Sequence, residues 1–98
     1  MIDHLVLFTV KSDASAGDVE DLLSSIRDLR SSVSNVIDLS VGEDFSGRGE
    51  PYTHGLFVRF QTADDLQAYL KHPDHQKVVE QLEATTEGRV VVDYDHER

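Results

Sequence analysis

Residues 2–11, Ile-Asp-His-Leu-Val-Leu-Phe-Thr-Val-Lys, limit the possible folds more than any other stretch. Successive side chains of a strand point to opposite faces, so Ile2, His4, Val6, Phe8 and Val10 share one face while Leu5 and Leu7 occupy the other. A strand that is apolar on both faces needs cover on both. The pattern suggests a central strand, or a sheet covered on both sides.

The rest of the chain supplies cover for one side. Asp18 to Ser32 reads as a helix, because Val19, Leu22, Leu23, Ile26, Leu29 and Val33 recur at the spacing of one helical face. Val36 to Phe45 reads as a second strand with one polar face, and residues 46–51 as a loop punctuated by two glycines and a proline. Tyr52 to Gln61 is a third strand, with His54, Leu56, Val58 and Phe60 on one side. Thr62 is placed to cap a helix whose buried stripe is Leu66, Tyr69 and Leu70. Pro73 ends that helix and opens another, on which His75, Val78, Val79 and Leu82 align. Gly88 is read as the helix stop, Arg89 to Tyr94 as a last strand buried on both faces, and 95–98 as a loose tail.

The order β-α-β-β-α-β, with the second helix in two pieces, predicts one α+β domain over 1–98. Its plan is ferredoxin-like: a four-stranded antiparallel sheet with helices on one face. The other face is left to a second copy of the chain, giving a two-fold homodimer that closes into an α/β barrel.

Composition narrows the function. Nine basic against nineteen acidic residues give a net charge of −10, and no basic patch exists to meet phosphates, so nucleic acid is not an expected partner. With no cysteine there is no thiol chemistry, disulfide or thiolate metal site. No apolar run is long enough to span a bilayer, and Met1-Ile2-Asp3-His4 is unlike a signal peptide, so a cytoplasmic protein without membrane contact is expected. No His-x-His or His-x₃-His pair suggests a metal, and no glycine-rich phosphate loop suggests a nucleotide. Neither metal nor cofactor is expected.

The chemistry-bearing residues gather around Tyr69-Leu70-Lys71-His72-Pro73-Asp74-His75. His75 sits on an apolar helical stripe, and His4 and His54 share the parity of apolar rows. One reading joins His4, His54, Tyr69 and His75 in a pocket. The other leaves them as core residues with hydrogen-bonded rings, His75 satisfying a backbone carbonyl at the bend and His72 serving as a cap.

His4-Leu5-Val6-Leu7-Phe8-x-x-Lys11, Gly42 with Asp44, Tyr52-Thr53-His54, Phe60 and Tyr69-x-x-His72-Pro73-x-His75 together resemble the stress-responsive A/B barrel (Dabb) domain family, from His4 to Tyr94. The resemblance implies a tight homodimer of ferredoxin-like protomers. One plant enzyme of the family is a cofactor-free polyketide cyclase that closes a poly-β-ketone by an aldol step. By that likeness His75 is the catalytic base and Tyr69 its partner, while His4, His54 and His72 support the pocket. Phe8 and the first-helix residues Leu22, Leu23 and Ile26 are expected along the substrate channel, where the aliphatic helix residues depart from the cyclase's aromatic ones. A small hydrophobic carbonyl compound is the implied substrate. A non-catalytic stress-response dimer, binding an apolar ligand or acting structurally, is the alternative.

Overall fold

A computed structural model describes residues 1–96. Its elements run β1 (Ile2–Val10), α1 (Ala16–Ser32), β2 (Asp38–Glu43), β3 (His54–Phe60), α2 (Ala63–Lys71), α3 (Pro73–Thr85) and β4 (Thr86–Asp95). The four strands form one sheet in the order β2-β3-β1-β4, every neighbouring pair antiparallel. This is the ferredoxin-like plan, with β1 central as its two-faced pattern suggests.

The helices cover the face that carries Val6, Phe8, Leu39, Leu56, Val58 and Phe60, all buried. Leu22, Leu23, Ile26 and Leu29 of α1 fill the space between. Local chemistry sets the helix ends. Ser15 and Thr62 side chains accept the Asp18 and Asp65 amides at 3.0 and 3.2 Å. Pro73 holds His72 extended (φ −65°, ψ 136°), which ends α2 and lets the His72 ring cap α3.

The structure departs from the sequence reading at several element ends and in the burial of the last strand. The second strand begins at Asp38 rather than Val36, because Val36 turns into the core and leaves Ile37 exposed. The last helix stops at Thr85, before Gly88, because Thr86 already pairs with Val10 in the sheet. The last strand lies at the sheet edge, so Val90, Val91 and Val92 are 39–51% exposed in the single chain instead of buried on both faces. Of the tail expected at 95–98, Asp95 ends β4 and the His96 amide donates to the Met1 carbonyl at 2.9 Å. Glu97 and Arg98 lie outside the described residues.

The face away from the helices carries Leu5, Leu7, Phe57, Val90, Val92 and Tyr94, with Leu7, Val90, Val92 and Tyr94 exposed. One end of this face is closed by charge. Arg59 grips the Asp3 carboxylate through Nε at 2.7 Å and Nη2 at 3.2 Å, and His96 Nδ1 approaches its second oxygen at 2.8 Å. The Arg59 hydrogen bonds, seconded by His96 and opposed by burial, hold the Asp3 carboxyl down at about 2. A carboxyl depressed on folding adds stability that is fully present above its unfolded value and lost as pH falls through its folded one. Asp3→Asn is therefore expected to flatten the loss of stability between pH ~4 and ~2, read by urea unfolding across that range. An unchanged slope would show that Asp3 does not contribute.

Candidate functional site

Three of the four singled-out rings converge where β1, β4 and the α2–α3 bend meet. Tyr69, near the end of α2, is 1% exposed. Its ring lies 4.4 Å from that of His75, 4.9 Å from Phe60 and 6.1 Å from His4, centroid to centroid. The Pro73 bend makes this possible, since a straight continuation of α2 would carry His75 past Tyr69.

Each ring has a defined hydrogen-bonding state. His75 Nδ1 lies 3.2 Å from the Leu70 carbonyl, and a carbonyl can only accept. Nδ1 is then the protonated nitrogen, and Nε2 of the neutral ring carries the lone pair. Burial pushes the His75 pKa below the ordinary 6.5, and the charges of His4, Arg89 and His72 push the same way, against the Leu70 hydrogen bond. His4 Nδ1 hydrogen-bonds the Asp93 carboxylate, its direct partner in the β1–β4 register. Burial raises the Tyr69 pKa, so the phenol stays protonated. Every fully sealed side-chain polar atom among the described residues has a hydrogen-bond partner. The Tyr69 hydroxyl is not within hydrogen-bond reach of another described group, so it must reach the cavity beside it.

That cavity has a volume of about 210 Å³. His4, Tyr69, His75, Arg89 and Asp93 supply its polar wall, and Val6, Leu56, Val78 and Leu82 are among its apolar lining. This site sets a weakly basic nitrogen and a phenol side by side. Such a pair can move a proton and stabilise a nascent oxyanion.

The other expected site residues lie elsewhere. His54 has the predicted parity but pairs with Phe8, four residues along β1 from His4, roughly 13 Å away. It stacks on Phe8 at 5.2 Å, and its Nδ1 meets Thr53 Oγ1 at 2.8 Å. Burial lowers its pKa, partly opposed by Glu43. His54 instead borders an open depression of about 550 Å³ beside the β2–β3 loop. Phe8, Leu22, Leu23 and Ile26 do not line the Tyr69–His75 cavity. They are packed into the core, since side chains of that size fill the gap between α1 and the sheet. His72 is a cap, its Nδ1 accepting the Asp74 amide at 3.1 Å. Sequence reasoning missed Arg89, Val91 and Asp93, which reach the cavity from alternate positions on β4. Their shared parity was the available signal. Among the described residues no group of three His, Asp or Glu side chains is placed to share a metal, and no helix is long and apolar enough to cross a membrane.

The sequence profile of the Stress responsive A/B Barrel Domain (Dabb) matches residues 2–96. The chain is 30% identical over 98 residues to the stress-response A/B barrel domain-containing protein DABB1 of Arabidopsis thaliana, a match covering 96% of this chain and 46% of that protein. It thus spans less than half the length of that relative. It is 23% identical over 95 residues to olivetolic acid cyclase of Cannabis sativa, covering 95% of this chain and 94% of the cyclase. A dimeric protein of ferredoxin-like fold from Bacteroides fragilis superposes with a TM-score of 0.83 at 27% identity, covering 97% of this chain and 95% of that one.

Proposed function

Because this chain belongs to the stress-responsive A/B barrel domain family, we propose that it is a homodimer whose Tyr69–His75 cavity performs cofactor-free proton transfer on a small hydrophobic carbonyl compound. The observation that carries the reading is the His75 ring, tied through Nδ1 to the Leu70 carbonyl and packed 4.4 Å from Tyr69. Its Nε2 takes a proton from a carbon flanked by two carbonyls. The electron pair moves onto the nearer carbonyl oxygen, where the Tyr69 hydroxyl donates a hydrogen bond. The enolate carbon then attacks a third carbonyl further along the same molecule, forming a carbon–carbon bond, and the new alkoxide takes the proton back from the His75 imidazolium. No atom or electron is gained or lost, so the step is an isomerising ring closure. The likeness to olivetolic acid cyclase supports this class of reaction.

The first test is exchange of the acidic proton of a medium-chain β-diketone in D₂O. The protein is expected to accelerate it well above buffer. Burial lowers the His75 pKa, so its basic form persists as the medium becomes acidic, and the acid limb of the rate profile is expected below pH 6.5. No acceleration at any pH would favour the second reading, a non-catalytic stress-response dimer. That alternative draws on the small cavity and on Leu22, Leu23 and Ile26 filling the core.

The dimer rests on the apolar sheet face and on the dimeric Bacteroides fragilis relative. A stable interface hides about 800 Å² per partner, and the Leu5–Leu7–Val90–Val92 face is where a second sheet would lie. Val92→Glu places a charge, and its symmetry mate, in that face. Sedimentation at low micromolar concentration is expected to give a dimer for the wild type and a folded monomer for Val92→Glu. A wild-type monomer under those conditions would refute the assembly.

A further inference from the structure

We propose that the cavity is built for an amphipathic ligand whose apolar tail lies against the α3 valines and whose carboxylate head is held at the mouth by Arg89. The inference rests on the Tyr69–His75 cavity being the ligand site, and it names the chemical class that enters. The chain has nineteen acidic and nine basic residues, so a guanidinium at the rim of its apolar cavity departs from the general charge. Arg89 shares the helix-side parity of Val91 and Asp93 on β4. Its side chain is 36% exposed, and its salt bridge runs to Glu83, itself 67% exposed, at a loose 3.7 Å. A long, solvated ion pair of that kind holds its guanidinium weakly, which leaves the planar fork able to take a carboxylate in bidentate fashion.

The acids around the mouth define which end receives the head. Asp93 lies four residues along β4 from Arg89, roughly 13 Å away, and its carboxylate is occupied by His4. Glu83 and Glu87 line a second depression together with Arg89, so a carboxylate bound there must displace the loose Glu83 pair. Between the Arg89 and Asp93 ends the lining is apolar, with Val78, Val79, Leu82 and Val91. A volume of about 210 Å³ holds a tail of roughly seven non-hydrogen atoms, taking ~30 Å³ for each. A carboxylate at Arg89 with such a tail passes Tyr69 and His75 on its way towards His4. A 3,5-diketo acid is a member of this class that also carries a carbon between two ketones, the acidic position the proposed chemistry requires.

The test compares binding of octanoate and methyl heptyl ketone, which share an alkyl tail and differ in the head, by calorimetry on the intact chain. Octanoate is expected to bind roughly tenfold or more tighter, the value of one charge-assisted contact. Arg89→Met keeps the aliphatic stem and is expected to erase that advantage without weakening the ketone, while Arg89→Lys retains part of it. If Arg89→Met does not fold, the wild type decides, since the octanoate advantage must then shrink from low to high salt. Equal affinities, indifference to Arg89→Met or salt, or failure of octanoate to bind overturns the inference. The two claims fail separately. Proton exchange on a neutral β-diketone without any octanoate preference removes the head-group assignment alone, whereas octanoate binding without proton exchange removes the enzyme and leaves the ligand class.

Discussion

Replacing His75 with asparagine is expected to reduce β-diketone proton exchange by about 10²–10⁴-fold, the usual contribution of a positioned general base, while leaving the fold intact. The two effects separate because the two ring nitrogens have different duties. Nδ1 serves the Leu70 carbonyl, which also accepts the Gln76 side chain at 2.6 Å. An asparagine amide can replace the Nδ1 donor, and Gln76 holds the carbonyl in any case. Stability should therefore change by less than about 1 kcal/mol. What asparagine lacks is a basic ring nitrogen. Exchange that survives the substitution would mean that the ring at the bend is structural and that the chemistry, if any, lies elsewhere.

The largest loss of stability is expected from Phe60→Ala. Phe60, the last residue of β3, is wholly buried, and its ring lies 4.9 Å from Tyr69. Truncation removes an aromatic and leaves a cavity under α2, a change that typically costs about 3–5 kcal/mol. Domains of this size hold only about 5–15 kcal/mol in total. Thermal unfolding should move down by more than about 10 °C. Tyr69→Phe provides the contrast, because it deletes only a hydroxyl that reaches the cavity. It should leave stability within about 0.5 kcal/mol yet slow proton exchange. A Tyr69→Phe protein as unstable as Phe60→Ala would show that the hydroxyl is part of the core.

The features legible in the sequence were those set by near neighbours. The alternation in β1 and β3 placed His4, Val6, Phe8, His54 and Phe60 on the helix side, where they lie. Thr62 and Pro73 marked helix starts because capping is a matter of three or four residues. Features that depend on register were hidden. Parity gives a residue its face but not its position along the strand, so His54 pointed the right way and still fell at the far end from Tyr69. Asp93 became the partner of His4 only through the β1–β4 pairing across 89 positions of sequence. The stripe Leu22, Leu23 and Ile26 showed which side of α1 is buried, but not that it meets packed side chains rather than a cavity. The run Val90-Val91-Val92 looks the same whether a strand lies inside a sheet or at its edge, where the single chain leaves it exposed.

The central claim is that His75 is a neutral base facing a ligand cavity beside Tyr69. Its most direct test is the ¹⁵N spectrum of the histidine rings, titrated with and without a β-diketone, in the wild type and in Tyr69→Phe. The His75 ring is expected to be protonated at Nδ1 at neutral pH, with a pKa below 6.5 that responds both to the diketone and to loss of the tyrosine hydroxyl. A His75 ring that titrates at its ordinary value, carries its proton on Nε2, or ignores both changes would contradict the claim.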